Sequence, residues 1–174
     1  MAATLFVCIG DGVEEKDPEV IGDAVEKKHK NWIIVDSVEF GLERHQGDAE
    51  GGVVTRGFGK AVFNDVTFTS HIGRHTTALM LNVASGQRLK KVVIHQTKAN
   101  EDQSQALTKY IIWTLEDAQI NTYSISASSD DVPTESWAIR SAKMSIEYQY
   151  PKDGKGKLEK YGEFKWDIGK GEMG

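Results

Sequence analysis

Cysteine is almost absent from this sequence, since Cys8 is the single cysteine among 174 residues. An intrachain disulfide is therefore impossible, and a metal site built from several cysteines of one chain is excluded. This cysteine usage is typical of a protein that folds in a reducing cytoplasm. Cys8 lies in an apolar segment, where a lone cysteine is more often a small core residue than a nucleophile.

The sequence also lacks long apolar runs and an N-terminal export signal. No run approaches the roughly 18 apolar residues of a membrane-spanning helix, so we predict no membrane insertion. Residues 1–9 carry no basic region, and their apolar run stops at Gly10, unlike a secretory signal peptide. If the protein leaves the cell, we expect it to do so without a cleaved signal.

An excess of positive charge is absent as well. The chain has 21 Lys and Arg against 26 Asp and Glu, a net charge of −5. Because phosphate contacts need a basic surface, this balance argues against a nucleic-acid-binding protein. The length predicts a single domain over residues 1–174, with residues 151–174 forming a linker, a last strand and a tail.

What the sequence does contain is alternation of apolar and polar residues. In residues 32–42 one parity is apolar apart from Asp36, and the other parity is mostly polar. This pattern predicts one long strand with a buried face and a wet face. The same alternation returns in residues 137–150. The buried face of the first strand would comprise Trp32, Ile34, Val38, Phe40 and Leu42.

One helix interrupts this pattern. Residues 76–85 are predicted to be helical, with Thr76 or Thr77 as the N-terminal cap and Gly86 closing the C-terminus. Their apolar residues lie nearly all round the helix, which predicts that it is largely covered. In residues 106–128, Glu116 and Asp117 predict a bulge or a tight turn.

The sum is a mainly β protein: a β-barrel or two packed antiparallel sheets with one short α-helix. The strand and helix patterns also predict which side chains form the core. The predicted core comprises Leu5, Val7, Ile34, Phe40, Val66, Leu79, Ile112, Ile125, Met144 and Ile146.

Phosphate-binding and dinucleotide motifs are not matched. Residues 56–60 superficially resemble a phosphate loop, but Val54 stands where the first glycine is needed and Ala61 where Ser or Thr is needed. The dinucleotide pattern fails at Val62, where it requires a third glycine. We therefore interpret this segment as a flexible loop and predict no cofactor.

Catalytic and metal-binding clusters are equally weak. His71 and His75 are four residues apart, a spacing that suits a metal site on a helix. However, Gly73 lies between them, and none of the residues between them is acidic. The pairs at residues 116–117 and 130–131 resemble glycosidase carboxylates, but adjacent strand residues point to opposite faces. We predict no catalytic residue and no metal site. Five aromatic residues could form a carbohydrate platform, although packing is favoured: Trp113, Trp137, Tyr148, Tyr150 and Trp166.

Several segments, in order and at fixed spacing, resemble the hemolysin-coregulated protein (Hcp) family, whose members form the inner tube of bacterial type VI secretion systems. The segments are HKNWI (29–33), FNDVTFT (63–69), TTALML (76–81), YIIWTLED (110–117), VPTES (132–136), AKMSIEYQY (142–150) and KWDI (165–168). The chain departs from the family pattern at Phe40, where similar proteins often have Trp, and at Ala78, where many have Pro. Residues 10–30 also form a long loop.

The resemblance implies a structural role rather than an enzymatic one. It implies homohexameric rings that stack head to tail, export from the bacterial cytoplasm as a sheath contracts, and small effectors carried in the lumen. The partners it implies are further copies of the chain, the tip spike, the sheath proteins and small effector proteins.

The resemblance also assigns candidate assembly residues. The extended loop over residues 43–59 is implied to contact the next ring, through Arg44, Val53, Val54, Arg56 and Phe58. Strands at residues 32–42 and 137–150 would build the ring itself. Within the first of these strands, Ser37 and Glu39 are the candidate polar face toward the lumen or the outer surface.

Two other functions remain open from the residues alone. A monomeric β-sandwich module that binds a sugar or a peptide is the main alternative, and a small hydrolase that uses the histidines is a weaker one. Size-exclusion chromatography with light scattering separates a ring-forming subunit from a monomeric module.

Overall fold

The computed structural model describes residues 3–12, 16–46, 58–99, 107–151 and 158–174. The elements are β1 (Ala3–Ile9), a one-turn 3₁₀ helix (Lys27–His29), β2 (Ile33–Val35), β3 (Ser37–Glu39), β4 (Leu42–Gln46), β5 (Phe58–Phe63), β6 (Val66–His71), α1 (Thr76–Ser85), β7 (Arg88–Ala99), β8 (Leu107–Ser126), β9 (Thr134–Pro151), β10 (Leu158–Asp167) and β11 (Glu172–Met173). The predicted class, mainly β with one short α-helix, is confirmed.

The large antiparallel sheet closes on itself. Strands β2, β1, β7, β8 and β9 are neighbours in that order, and β6 pairs with both β9 and β3. Asp36 alone separates β2 from β3, and its backbone N–H donates to the Thr69 carbonyl at 2.8 Å. The hydrogen-bonded path therefore returns to its start, which makes this part of the sheet a barrel.

Strand β9 belongs to two parts of the molecule. Residues 134–139 pair with β6 and help to close the barrel. Residues 143–151 pair instead with β10, which carries β11 at its far edge. A separate two-stranded sheet is formed by β4 and β5. The barrel thus continues into a sheet of β8, β9 and β10 that extends beyond it.

The predicted long strand at residues 32–42 is divided into β2, β3 and β4. Ile33 and Val35 are buried in the main core and Ile34 is 43% exposed. Beyond Asp36, which separates β2 from β3, Val38 packs against the main core, so the core-facing parity changes at Asp36. The predicted parity is therefore wrong in β2.

The main core lies inside the barrel, where side chains from β1, β7, β8 and β9 meet. The predicted core residues Val7, Val66, Leu79 and Met144 are buried there, and Leu5, Phe40 and Ile146 are half-buried against them. Ile125 is 51% exposed, because it lies near the end of β8, so its predicted core position is wrong, as is that of Ile34. Ile112 packs against a second cluster instead.

That second cluster covers the outer face of β1 and β7. The outward-pointing side chains of these strands are Phe6, Cys8 and Val93. They pack with Ala24 and Trp32, which lie in the long segment between β1 and β2. This arrangement is a satellite core under a long loop. Cys8 is buried, and burial raises the pKa of its thiol to about 11, which disfavours the thiolate that a nucleophile requires.

Helix α1 has the predicted residues 76–85 and ends at Gly86, which has a left-handed φ of 65°. The predicted threonine cap is wrong, because His75 occupies the N-cap position and its side chain makes no capping bond. The predicted coverage is also wrong, since Met80 is 47% and Leu81 65% exposed. The helix lies on the barrel surface and buries only one side.

Strand β8 passes through Glu116 and Asp117 without a turn. Asp117 has a positive φ of 50°, but the register shift lies further on, between Ile120 and Thr122. The predicted turn is therefore wrong, and both carboxylates are exposed. Among the described helices, none is long and apolar enough to cross a membrane.

Candidate assembly surfaces

The predicted stacking loop is carried on the β4–β5 hairpin. The two strands pair from Leu42 with Phe63 to Gln46 with Phe58. Arg44 lies in β4 with an exposed side chain, and Phe58 begins β5. The predicted contact residues Val53, Val54 and Arg56 lie outside the described residues. The hairpin stem is thus in place, and the contact made by its tip stays a prediction.

A row of aromatic side chains fixes the base of this hairpin. The ring centroid of Phe63 lies 6.4 Å from that of Phe164 and 6.2 Å from that of Trp166, and both of these residues are on β10. Phe40 lies 6.4 Å from Phe63 and 6.0 Å from Trp113 on β8. These contacts attach the hairpin to the extended sheet, so its orientation relative to the barrel is set by packing.

The predicted polar face on β3 is partly occupied by hydrogen bonding. The hydroxyl of Ser37 lies 2.6 Å from that of Thr69 on β6, and Ser37 is half-buried. Glu39 is exposed, while Val38 between them packs against the main core. Ser37 and Glu39 therefore lie on the outer side of the barrel wall, and whether they face a lumen stays a prediction.

A cluster of tyrosines lies on the extended sheet. Tyr161 of β10 is 75% exposed and Tyr148 of β9 is 46% exposed. The ring centroid of Tyr161 lies 6.3 Å from that of Tyr148 and 5.3 Å from that of Tyr150. Exposed tyrosines of this kind are enriched in protein–protein interfaces. We refer to Tyr148, Tyr150 and Tyr161 as the tyrosine surface.

The opposite end of the long strands exposes aliphatic side chains. Ile72 is 40%, Ile125 51% and Val132 57% exposed. These residues are close together because the N–H of Ile72 donates to the carbonyl of Pro133, and Ile125 pairs with Glu135. We refer to Ile72, Ile125 and Val132 as the aliphatic surface. The two surfaces differ in chemistry and lie at opposite ends of β8 and β9.

A buried carboxylate, that of Glu135, lies where α1 begins. Its Oε1 accepts hydrogen bonds from Ser70 at 2.8 Å and from Nε2 of His75. Its Oε2 accepts from Thr76 at 3.0 Å and from the Tyr123 hydroxyl at 2.6 Å. Burial and the Glu135 carboxylate raise the pKa of Tyr123. The carboxylate is saturated with donors and links β6, α1, β8 and β9.

This network leaves no activated nucleophile, because the Ser70 hydroxyl donates to Glu135 and cannot also be deprotonated by His75. The considered metal pair is not formed either, since His71 is exposed and lies 2.9 Å from Asp36, whereas His75 is buried against Glu135. Within the described residues, no three His, Cys, Asp or Glu side chains converge as metal ligands.

The candidate carbohydrate platform is not a continuous surface. Trp137 is fully buried and stacks on Phe68 with ring centroids 4.3 Å apart. Trp113 and Trp166 are half-buried in the aromatic row at the base of the hairpin. Only the tyrosine surface presents aromatic rings to solvent among these candidates.

A second buried polar cluster lies in the satellite core. Nδ1 of His29 is 2.5 Å from the Glu26 carboxylate, and its Nε2 is 2.9 Å from Nδ1 of His95. The His29 ring stacks on Phe6 at 4.2 Å and meets Trp32 edge-on at 4.9 Å. Burial, with the charge of Lys109, lowers the pKa of His95 to about 3. Sequence inspection missed this cluster, because residues 29 and 95 are brought together only by the fold.

We expect acidification to destabilise the protein through His95. In the unfolded chain this histidine takes up a proton near pH 6.5, whereas in the folded state it stays neutral down to about pH 3. The unfolded state therefore binds more protons in this window, and stability falls as the pH falls. The loss from this group between pH 7 and pH 5 is about 2 kcal/mol.

Urea denaturation at several pH values measures this effect. In His95→Asn, the asparagine amide takes the place of Nδ1 opposite His29 and does not titrate. The stability of this variant should therefore depend less steeply on pH than that of the wild type. If the wild type and this variant show equal slopes, His95 is not the group responsible.

A sequence model of the family described as "Type VI secretion system effector, Hcp" matches residues 8–148. The chain belongs to the Hcp family. Among curated proteins, none matches the chain. Solved structures extend the likeness to the whole fold. A structure described as a type six secretion system protein has a TM-score of 0.81 and 20% sequence identity, covering 99% of this chain and 100% of that one.

Two further solved structures show the same fold. Hcp1 from Salmonella typhimurium has a TM-score of 0.71 at 20% identity, with 98% of this chain and 97% of that chain covered. A type VI secretion system effector from Yersinia pestis has a TM-score of 0.67 at 19% identity, with 94% of this chain and 99% of that chain covered. Membership in the Hcp family supports a role as a subunit of the type VI secretion tube and suggests a secreted, structural, self-assembling protein.

Proposed function

We propose that this Hcp protein assembles into homohexameric rings that stack head to tail as the inner tube of a type VI secretion system. It is made in the bacterial cytoplasm, exported on sheath contraction, and carries small effectors in the ring lumen. Its further partners are the tip spike and the sheath. Family membership over residues 8–148 is the observation that carries this proposal.

The exposed surfaces support an assembly of this kind. The tyrosine surface is aromatic, and the aliphatic surface at the other end of β8 and β9 consists of Ile72, Ile125 and Val132. Because the two are chemically different, contact between copies that uses one of each is heterologous rather than self-complementary. A heterologous contact generates a closed ring when the rotation between copies permits.

The β4–β5 hairpin supports the second kind of contact. Its stem is held to the extended sheet by Phe63, and Leu42 and Val62 on the stem are 51% and 41% exposed. Because the base of the β4–β5 hairpin is packed in place and its strands expose apolar side chains, the hairpin is suited to contact a neighbouring ring. We assign the ring-to-ring contact to residues 44–58, and the ring itself to β2, β3 and β9.

Light scattering after size-exclusion chromatography tests the ring. We expect a mass near six subunits for the wild type. The double variant Tyr148→Ser and Tyr161→Ser should shift the mass toward monomer while circular dichroism stays native, because it removes exposed aromatic contacts. Met173→Ser, which alters a residue 82% exposed on β11, is the control. A wild-type monomer would overturn the ring and favour the alternative, a β-sandwich module that binds a sugar or a peptide.

Deleting residues 45–55 tests the stacking arm separately. Shortening a surface loop changes closure entropy only slowly with length, so the barrel should still fold. We expect intact hexamers with fewer stacked rings by electron microscopy and reduced export. Rings that fall apart into native monomers, or stacking and export that are unaffected, would contradict the assignment of this loop.

A further inference from the structure

A pocket of about 550 Å³, including its open mouth, lies beside the buried histidine pair. The 3₁₀ helix contributes Lys28 and His29, β7 contributes His95, and β8 contributes Thr108 and Lys109. Gln149 of β9 and two leucines, on β8 and β10, complete the lining. Apart from Gln149 on β9, the hexameric assembly proposed above uses none of these residues.

The charge of this pocket is opposite to that of the protein as a whole. Among the residues that the structure describes, two lysines and no carboxylate line it, in a chain of net charge −5. None of the ion pairs in the described ranges involves the side chain of Lys28 or Lys109. The nearby Glu26 is already engaged by the His29 ring and by the backbone N–H of Lys28. The described lining of the pocket is therefore positively charged.

The base of the pocket is fixed rather than mobile. His29 and His95 are 2% and 6% exposed and are joined at 2.9 Å. Glu26 accepts the proton on Nδ1 of His29, and the stacking on Phe6 holds the ring. When Nδ1–H of His29 donates to Glu26, its Nε2 accepts from Nδ1–H of His95, and Nε2 of the neutral His95 is then an acceptor. The two ammonium groups beside this fixed base are therefore the groups that attract an anion.

We propose that this pocket binds the phosphate group of a small phosphate monoester. Lys28 and Lys109 match its two negative charges, and the Thr108 hydroxyl supplies a hydrogen-bond donor. The two leucines provide an apolar wall for the organic substituent. Two ammonium groups favour a dianion over a carboxylate ligand, which carries a single charge, and the nearby Glu26 is already hydrogen-bonded.

Phosphorus NMR of phenyl phosphate with the assembled protein tests this site. We expect saturable broadening of the ligand signal with a Kd on the order of 1 mM, and weaker binding of inorganic phosphate, which lacks the apolar substituent. Competing acetate, at matched ionic strength, should displace the probe poorly. Inorganic phosphate that binds as tightly as phenyl phosphate overturns the monoester assignment, and acetate that competes equally overturns the dianion assignment.

Charge-matched variants locate the site. Lys28→Ala with Lys109→Ala should weaken binding by about tenfold or more, whereas Lys90→Ala with Lys170→Ala, which removes the same charge from exposed positions elsewhere, should not. Thr108→Val removes the hydroxyl that donates to the phosphate but keeps the shape of the side chain, so it should weaken binding without changing the assembly. Unchanged affinity in the first pair, or an equal loss in both pairs, shows general attraction to the surface and overturns the pocket.

Discussion

Glu135→Ala is expected to lower the free energy of unfolding by about 3–5 kcal/mol, because it removes the acceptor from a buried network. Ser70, His75, Thr76 and Tyr123 all donate to this carboxylate. Without it, the buried side chains of Ser70 and His75 lose their acceptor, and so do the half-buried side chains of Thr76 and Tyr123. Urea denaturation followed by tryptophan fluorescence measures the change.

Two variants separate the network from a general effect of losing a glutamate. Glu116→Ala removes an exposed carboxylate from the neighbouring strand and should change stability by less than about 0.5 kcal/mol. Glu135→Gln keeps the shape of the side chain and one acceptor oxygen. Its loss of stability should therefore lie between those of Glu116→Ala and Glu135→Ala. If Glu135→Ala costs no more than Glu116→Ala, the network does not hold α1 to the barrel.

Leu115→Ala is expected to cost about 2–5 kcal/mol, the range for a leucine removed from a close-packed core. Leu115 is fully buried on the inner face of β8, within the main core. Ile125 lies on the same strand but is 51% exposed, so Ile125→Ala should cost less than about 0.5 kcal/mol. Equal losses of stability in Leu115→Ala and Ile125→Ala would contradict the placement of Leu115 in the core and of Ile125 at the exposed end of β8.

The class of the fold and the helix could be predicted because both depend on local pattern. Residues 137–150 alternate as half-buried strands do, and Gly86 supplies the left-handed residue that ends α1. The parity of Ile34 could not be predicted, because the core-facing parity changes at Asp36, between β2 and β3. The bulge between Ile120 and Thr122 likewise has no glycine or proline to mark it.

The candidate site was predictable only where one segment carries it. The loop between β4 and β5 was identified from its composition, and His75 was noted only for its spacing from His71. The partners that decide what His75 does, Glu135 and Tyr123, are far away in sequence and reach it only through the register of β8 and β9. The same holds for the pairing of His29 with His95.

The position of β1 has a consequence for how the chain folds. Its partners are β2 on one side and β7 on the other, and Ala3 pairs with Lys98. Strand β1 is synthesised before β7 and therefore keeps one edge open until β7 has been made, and the barrel closes only when β9 reaches β6. Contacts this distant in sequence slow folding, since loop closure must precede the interactions that reward it. During synthesis the open edge of β1 is a surface on which nascent chains can pair with one another.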